Sequence, residues 1–301
     1  VRFDALLGYI TALLEPGDEP DLEVALAHGW PAQLHVIGKD ILRFHAVYWP
    51  AMLLSAGLPL PKHVFGHGFL TREGQKMGKS LGNVLDPEAL LERCGRDCVR
   101  WYLLRDIPFG DDGDFQQQRF VDLVNNDLAN TIGNLLNRTS SMARRWFADA
   151  VPAAGPALDV NHPLAHAATS TAAQVIQALD VLDFRTGAEA VLQLAITANG
   201  FLNDQAPWKV IKQEGDRAQV AADLYAVLEA TRWVAVLLAP LLPELSERML
   251  LQLGQSPFSS DHSQPGATPW QTSQQWGLLV PGMPLPEPQP VLQRLELDGP
   301  L

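Results

Sequence analysis

Lys76 and Lys79 stand three residues apart in Lys76-Met77-Gly78-Lys79-Ser80, which continues as Leu81-Gly82-Asn83. In a glycine-flanked loop such a pair can bring two ammonium groups onto one polyphosphate. Breaking an α–β phosphate bond places charge on the departing pyrophosphate, and cations arriving there stabilise the transition state. A solvated surface loop has the same composition, so residue types alone leave both readings open. A second stretch of this kind is Gly38-Lys39-Asp40. A carboxylate at a helix start can accept hydrogen bonds from ribose hydroxyls, and it can equally cap the helix. Ile41 and His45 follow at i and i+4 and so share one helix face. Taken alone, His45 reads as a satisfied structural histidine.

Further along, Asn134 and Arg138 form another i, i+4 pair, on a polar stripe. Such a pair can present an amide and a guanidinium to the edges of unpaired bases, or simply face solvent. Ala206-Pro207-Trp208-Lys209 ends a helical pattern with an aromatic that can stack on a splayed base or lie partly buried. Cys94 and Cys98 lie one helical turn apart with no nearby histidine pair, which favours core packing over a metal site.

The elements that must position these residues are legible in outline. Leu34 to Ile37 reads as a short buried strand, Gly38-Lys39-Asp40 as a tight loop, and Ile41 to Ala56 as a helix with a kink expected at Pro50. A second strand, His63 to Thr71, runs into a turn at Arg72-Glu73-Gly74. Strand, loop, helix, strand is the grammar of a parallel α/β sheet, and two strands are too few to complete one. After Asp114 the pattern becomes helical. Leu128, Ile132, Leu135, Thr139 and Met142 define one apolar face, and Phe184, Ala188, Val191, Ala195, Ala198 and Leu202 another. A loop is expected from Pro152 to Pro163, a further helix over Leu224 to Leu242, and a surface wrap or tail from Ser256 onward.

Composition bounds the chemistry. Among 301 residues, 22 Lys and Arg face 34 Asp and Glu, a net charge of −12 that excludes indiscriminate polybasic binding to phosphate backbones. Two cysteines exclude a disulfide framework and a four-cysteine zinc site. At 47% hydrophobic residues the chain can bury a sizeable core, yet its longest apolar run, Trp233 to Leu242, is short of a membrane span. The start, Val1-Arg2-Phe3-Asp4, shows no signal-type stretch. A cytoplasmic protein that continues upstream is the expectation.

The lysine loop resembles the KMSKS signature of class I aminoacyl-tRNA synthetases, with Gly78 where serine is usual. The neighbours narrow the resemblance to the methionyl-tRNA synthetase family. They are Phe3-Asp4-Ala5-Leu6-Leu7-Gly8-Tyr9, Gly38 through His45, Tyr48-Trp49-Pro50-Ala51-Met52-Leu53 and Gly66-His67-Gly68-Phe69-Leu70. Gly95-Arg96-Asp97, Arg100 to Leu104, Asn125 to Asn130 and Gly133 to Arg138 continue it in order. His63 and His67 flank Phe65-Gly66 but lack the form of the family's HIGH signature, and Arg2 stands where the family usually has tryptophan.

The resemblance implies an α/β plus all-α chain, the second half of a Rossmann-like catalytic domain followed by a helical-bundle anticodon-binding domain. Residues 1–75 would belong to the catalytic fold, 76–114 to the lysine loop and a stem-contacting connector, 115–255 to the anticodon-binding bundle, and 256–301 to a Pro-rich wrap or tail. It further implies that Gly38, Asp40, Lys76 and Lys79 bind ATP, with both lysines catalytic. Ala5, Tyr9, Ile41 and His45 would line a methionine pocket, and Asn134, Arg138 and Trp208 would read the anticodon. The implied partners are methionine, ATP with Mg2+, and tRNA(Met), with no zinc in this segment and no membrane. Lacking the HIGH half, the chain is expected to be inactive alone. The alternatives are an RNA-binding helical fragment without enzymatic activity and a synthetase for another apolar amino acid.

Overall fold

The computed structural model describes residues 4–18, 21–256, 258, 269–296 and 299. It divides into two compact units, Val1–Lys76 with Phe109–Asp114, and Met77–Pro108 with Phe115–Leu301.

In the first unit a 3-10 turn at Asp4–Leu7 leads into the short helix α1 (Gly8–Thr11), and α2 (Leu22–Ala27) follows, capped by the Asp21 carboxylate. Strand β1 (Leu34–Gly38) pairs in parallel with β2 (His63–His67), placing Gly38 opposite His67 at their carboxyl ends. The crossover departs from the single kinked helix expected. It begins as a 3-10 turn at Lys39–Ile41, widens into a π-helical turn at Phe44–Tyr48, and only then becomes α3 (Trp49–Ser55). Pro50 is the reason: it has no N–H to return to the preceding turn, and its ring cannot abut the carbonyl four residues back. Leu6, Trp30, Trp49 and Leu53 form the buried core of this layer.

The expected second strand also divides. After His67 the chain bends at Gly68 and restarts as β3 (Leu70–Arg72), which pairs antiparallel with β4 (Gln75–Lys76). Both residues of the connecting turn are left-handed, Glu73 at φ 50° and Gly74 at φ 74°, the hand that matches strand twist in a two-residue hairpin. β5 (Gly113–Phe115) completes a three-stranded sheet of order β4-β3-β5.

The second unit is helical. α4 (Pro87–Cys94) and α5 (Arg96–Arg105) precede α6 (Gln117–Leu123), which runs into a π-helical stretch, Val124–Gly133, and then α7 (Asn134–Trp146). The long helices α8 (Pro163–Asp180) and α9 (Phe184–Gln205), the short α10 (Pro207–Lys212), then α11 (Arg217–Leu238) and α12 (Pro243–Gln252) build the bundle. Leu128, Ile132, Leu135 and Thr139 are buried as their spacing predicts, but the first two lie on a wider helix than the regular one expected. Asn199 Nδ2, from α9, donates to the carbonyl of Thr131 (3.2 Å), and within the stretch Thr131 Oγ1 donates to that of Asn126 (2.8 Å), so side chains satisfy carbonyls that the wider turn releases. Cys94 and Cys98 are buried; desolvation pushes the Cys98 thiol up to about 12, leaving it un-ionised and in the packing role.

Helix α11 is buried on every side, as a bundle's central helix must be, and it buries an ion pair. Arg232 donates to Glu229 from Nε (3.0 Å) and from a terminal nitrogen (2.6 Å), and to the carbonyls of Ser273 and Gln275. The Glu229 carboxylate also accepts from the backbone N–H groups of Gly277, Leu278 and Leu279. The described part of the C-terminal segment is therefore a wrap stapled to α11, with Leu279, Leu285 and Val291 buried against the bundle. Among the described residues no helix is long and apolar enough to cross a membrane. Removing one partner of a buried ion pair costs about 3–5 kcal/mol. Glu229→Ala should lower unfolding free energy by about that much and deprotect the amides of Gly277 to Leu279, read by denaturant titration and hydrogen exchange.

Candidate active site and nucleic-acid interface

Crevices at the carboxyl ends of parallel strands are the usual ligand sites of α/β sheets, and Gly38 ends β1 there. A Cβ on Gly38 would lie 2.6 Å from Asp40 Oδ1, so glycine lets the Asp40 carboxylate fold back over the strand end. Asp40 is exposed in the 3-10 turn, and its carboxylate makes no hydrogen bond or ion pair among the described residues. It is not the cap of this turn, a position held by Gly38.

One turn on, His45 is buried and fully partnered. Its Nδ1–H donates to the Ile41 carbonyl (3.0 Å), which leaves Nε2 to accept from the Tyr9 hydroxyl (2.8 Å). Tyr9, Ile41 and His45 are thus brought together, while Ala5 lies exposed four residues before Tyr9. Three aromatic groups that sequence reasoning missed complete this wall. His35 packs on Tyr9 at 4.5 Å between ring centroids, and Trp49 stands edge-on to Trp30 at 5.8 Å. Tyr9, Trp30 and His35 line a cavity of about 330 Å³. His35 Nε2 is buried without a partner among the described residues, and burial, helped by nearby His45, holds its pKa below the usual histidine value. A histidine inside an otherwise apolar strand was the one signal that could have exposed it. Arg2 lies outside the described residues.

The lysine loop is divided between the units. Lys76 ends β4, exposed, in the first; Lys79 opens a 3-10 turn, Lys79–Leu81, in the second, and its side chain lies outside the described residues. The Gly78 N–H donates to Asn83 Oδ1 (2.9 Å), and the Leu85 N–H reaches Met77 Sδ (3.4 Å). A Cβ on Gly78 would make only ordinary contacts, so nothing in the structure requires glycine there.

On the bundle, Asn134 is exposed at the first turn of α7. Arg138 donates to Asn203 Oδ1 (3.1 Å), and its guanidinium carbon lies 5.6 Å from the ring centre of half-exposed Trp208. Trp208 does not end a helix, as expected, but begins one. Ala206 takes a left-handed conformation (φ 43°) between α9 and α10, and Pro207 cannot continue the incoming helix. A left-handed alanine is strained, and here it sets the direction of the tryptophan.

A family profile described as tRNA synthetases class I (M) matches residues 1–140, and one described as the anticodon binding domain of methionyl tRNA ligase matches residues 151–295. The methionine–tRNA ligase of Nostoc sp. (strain PCC 7120) is 51% identical over 298 residues, 98% of this chain and 56% of that protein. The chloroplastic/mitochondrial methionine–tRNA ligase of Arabidopsis thaliana is 46% identical over 99% of this chain and 48% of its own length. The chain belongs to the methionyl-tRNA synthetase family. Among solved structures, Mycobacterium tuberculosis methionyl-tRNA synthetase in complex with methionyl-adenylate superposes with a TM-score of 0.84 at 39% identity, over 97% of this chain and 55% of that one. The chain spans about half the length of the relatives it matches.

Methionyl-tRNA synthetase membership accounts for the fold class, a catalytic-domain segment with a helical anticodon-binding domain. The aromatic wall has a consequence for pH. Below the ordinary histidine value of 6.5 the unfolded chain takes up a proton that folded His35 refuses, so stability falls as pH drops toward the folded-state value. Replacing His35 by Phe removes that proton linkage. Denaturant midpoints from pH 7.5 to 5.5 should fall more steeply for wild type than for His35→Phe; parallel curves would show that His35 titrates normally.

Proposed function

We propose that this chain serves methionine–tRNA ligation: activation of methionine by ATP to methionyl-adenylate with release of pyrophosphate, then transfer to tRNA(Met). The observation that carries the reading is the Tyr9–His45 pair set one helical turn beyond the unpaired Asp40 carboxylate, an apolar-aromatic wall adjoining a nucleotide loop. A thioether suits apolar and aromatic walls with at most one weak hydrogen bond.

In this reading Ala5, Tyr9, Ile41 and His45 hold the methionine side chain. The His45 ring is pinned at both nitrogens, and the Tyr9 oxygen can still accept from a weak donor. Asp40 accepts from ribose hydroxyls, and Gly38 gives the nucleotide close access to the strand end. Lys76 and Lys79 bind the triphosphate and stabilise the leaving pyrophosphate. ATP would arrive as its Mg2+ complex, the ion screening charge between phosphates. Residues 1–75 supply the catalytic part, 76–114 the lysine loop and connector, 115–255 the anticodon-reading bundle and 256–301 its wrap. The family resemblance favours a cytoplasmic setting.

Asn134, Arg138 and Trp208 read the anticodon, the tryptophan as a stacking platform and the other two as donors to base edges. Stacking on an aromatic is worth about 1–3 kcal/mol per base. Trp208→Ala should therefore weaken tRNA(Met) binding to this chain about tenfold or more, measured by titration at fixed salt. The activity itself is tested by methionine-dependent ATP–pyrophosphate exchange in the full natural polypeptide carrying these residues. Exchange driven by a different amino acid would point to another synthetase, and tRNA binding with no exchange to an RNA-binding module.

A further inference from the structure

Between α5 and α6 the chain returns to the first unit for six residues, Phe109–Asp114, and packs closely there. A Cβ on Gly68 would fall 2.0 Å from the Asp111 carbonyl oxygen, so only glycine admits the approach. Phe109 stacks flat on Phe65 (4.7 Å, 3°), and the Gly113 N–H donates to the Phe69 carbonyl (2.8 Å).

Two carboxylates of this segment, at i and i+2, bond to two different elements of the candidate nucleotide site. Asp112 Oδ1 accepts from Lys39 Nζ (2.6 Å) and from the Phe69 N–H (2.7 Å), and the Lys39 ammonium lies 5.0 Å from the Phe69 ring centre. Asp114 Oδ1 accepts from Thr71 Oγ1 (2.7 Å) and from the Gly74 N–H (2.8 Å), the turn of the hairpin that ends at Lys76. We propose that Asp112 and Asp114 are positioning residues for nucleotide binding, Asp112 setting the Gly38–Asp40 loop and Asp114 setting the hairpin that carries Lys76. The inference rests on the reading of those two elements as ATP-binding.

Asp112 acts through Lys39. An exposed ion pair contributes little to stability, so its value lies in where it directs the ammonium. Lys39 is the sequence neighbour of Asp40, so without Asp112 its ammonium is free to turn to the Asp40 carboxylate. Asp112 draws the cation away and leaves both Asp40 oxygens for ribose. Asp114 acts on geometry instead: it ties the left-handed Glu73-Gly74 turn to β5, which fixes the direction in which β4 delivers its lysine.

Methionine-dependent ATP–pyrophosphate exchange in the full natural polypeptide carrying this chain separates the two roles. Asp112→Asn should raise KM for ATP at least fivefold while KM for methionine stays within twofold. Asp114→Asn should instead lower kcat about tenfold, and Asp114→Glu should recover part of it. In the Lys39→Met, Asp112→Asn double variant the KM for ATP should be no higher than in Asp112→Asn alone, because the misdirected cation is gone. Each variant should bind tRNA(Met) within twofold of wild type, which shows that it is folded. An active wild type with both Asn variants within twofold of it in KM and kcat would overturn the inference, as would loss of tRNA binding in step with activity. A wild type without exchange would remove the functional reading beneath it.

Discussion

Burying the Glu229 carboxylate commits the rest of the bundle. A charge at the centre of α11 is tolerable only if every lone pair is met, and one guanidinium cannot do so alone. The remaining partners are three consecutive backbone N–H groups, Gly277 to Leu279, so the C-terminal segment is held by its main chain. From that anchor it runs to Val291, Arg294 and Leu295. There Asn125 exchanges two hydrogen bonds with the Leu295 backbone, and Arg294 reaches Asn130. Both asparagines lie on the π-helical stretch that ends at Gly133, just before Asn134. The exposed edge of the proposed anticodon patch is thereby braced from the core, through the wrap, to the turn that precedes it.

The first unit follows a different logic, with little hydrophobic mass and many paired polar groups. Its small core of Leu6, Trp30, Trp49 and Leu53 supports a wall of rings on which Tyr9, His35 and His45 are mutually fixed. The hydrogen bond from Tyr9 spans thirty-six residues of sequence, joining α1 to the crossover helix. Rigid rings with assigned donors suit an uncharged, polarizable ligand. The unpaired carboxylate at the strand end suits a hydroxyl-bearing one. Under the proposed function the two serve one reaction, since adenylate formation joins a carboxylate to the α-phosphate.

Much of this was legible in the sequence where causes are local. β1, the glycine that ends it, the apolar faces of α7 and α9 and the lysine loop all follow from local spacing. What was hidden has distant causes. The π-helical stretch depends on Asn199, sixty-eight residues from Thr131, and Lys39 finds Asp112 seventy-three residues away. The break after His67 comes from the close approach of Asp111, which no periodicity announces. The expected tryptophan at a helix end became one at a helix start because a non-glycine residue takes a left-handed turn, against its propensity. Ala206 stands beside Trp208, and Glu73 stands in the hairpin that carries Lys76, so two of the left-handed residues adjoin proposed sites.

The most direct test of the central claim is selective binding of an anticodon by the bundle. A tRNA(Met) anticodon stem-loop hairpin, and the same hairpin with its three anticodon bases replaced, can be titrated against the wild-type chain at one salt concentration. Base-edge contacts by Asn134 and Arg138 together with stacking on Trp208 require the methionine anticodon to bind at least tenfold more tightly. Equal affinity for the two hairpins, falling in parallel with added salt, would show backbone attraction alone and would contradict the claim.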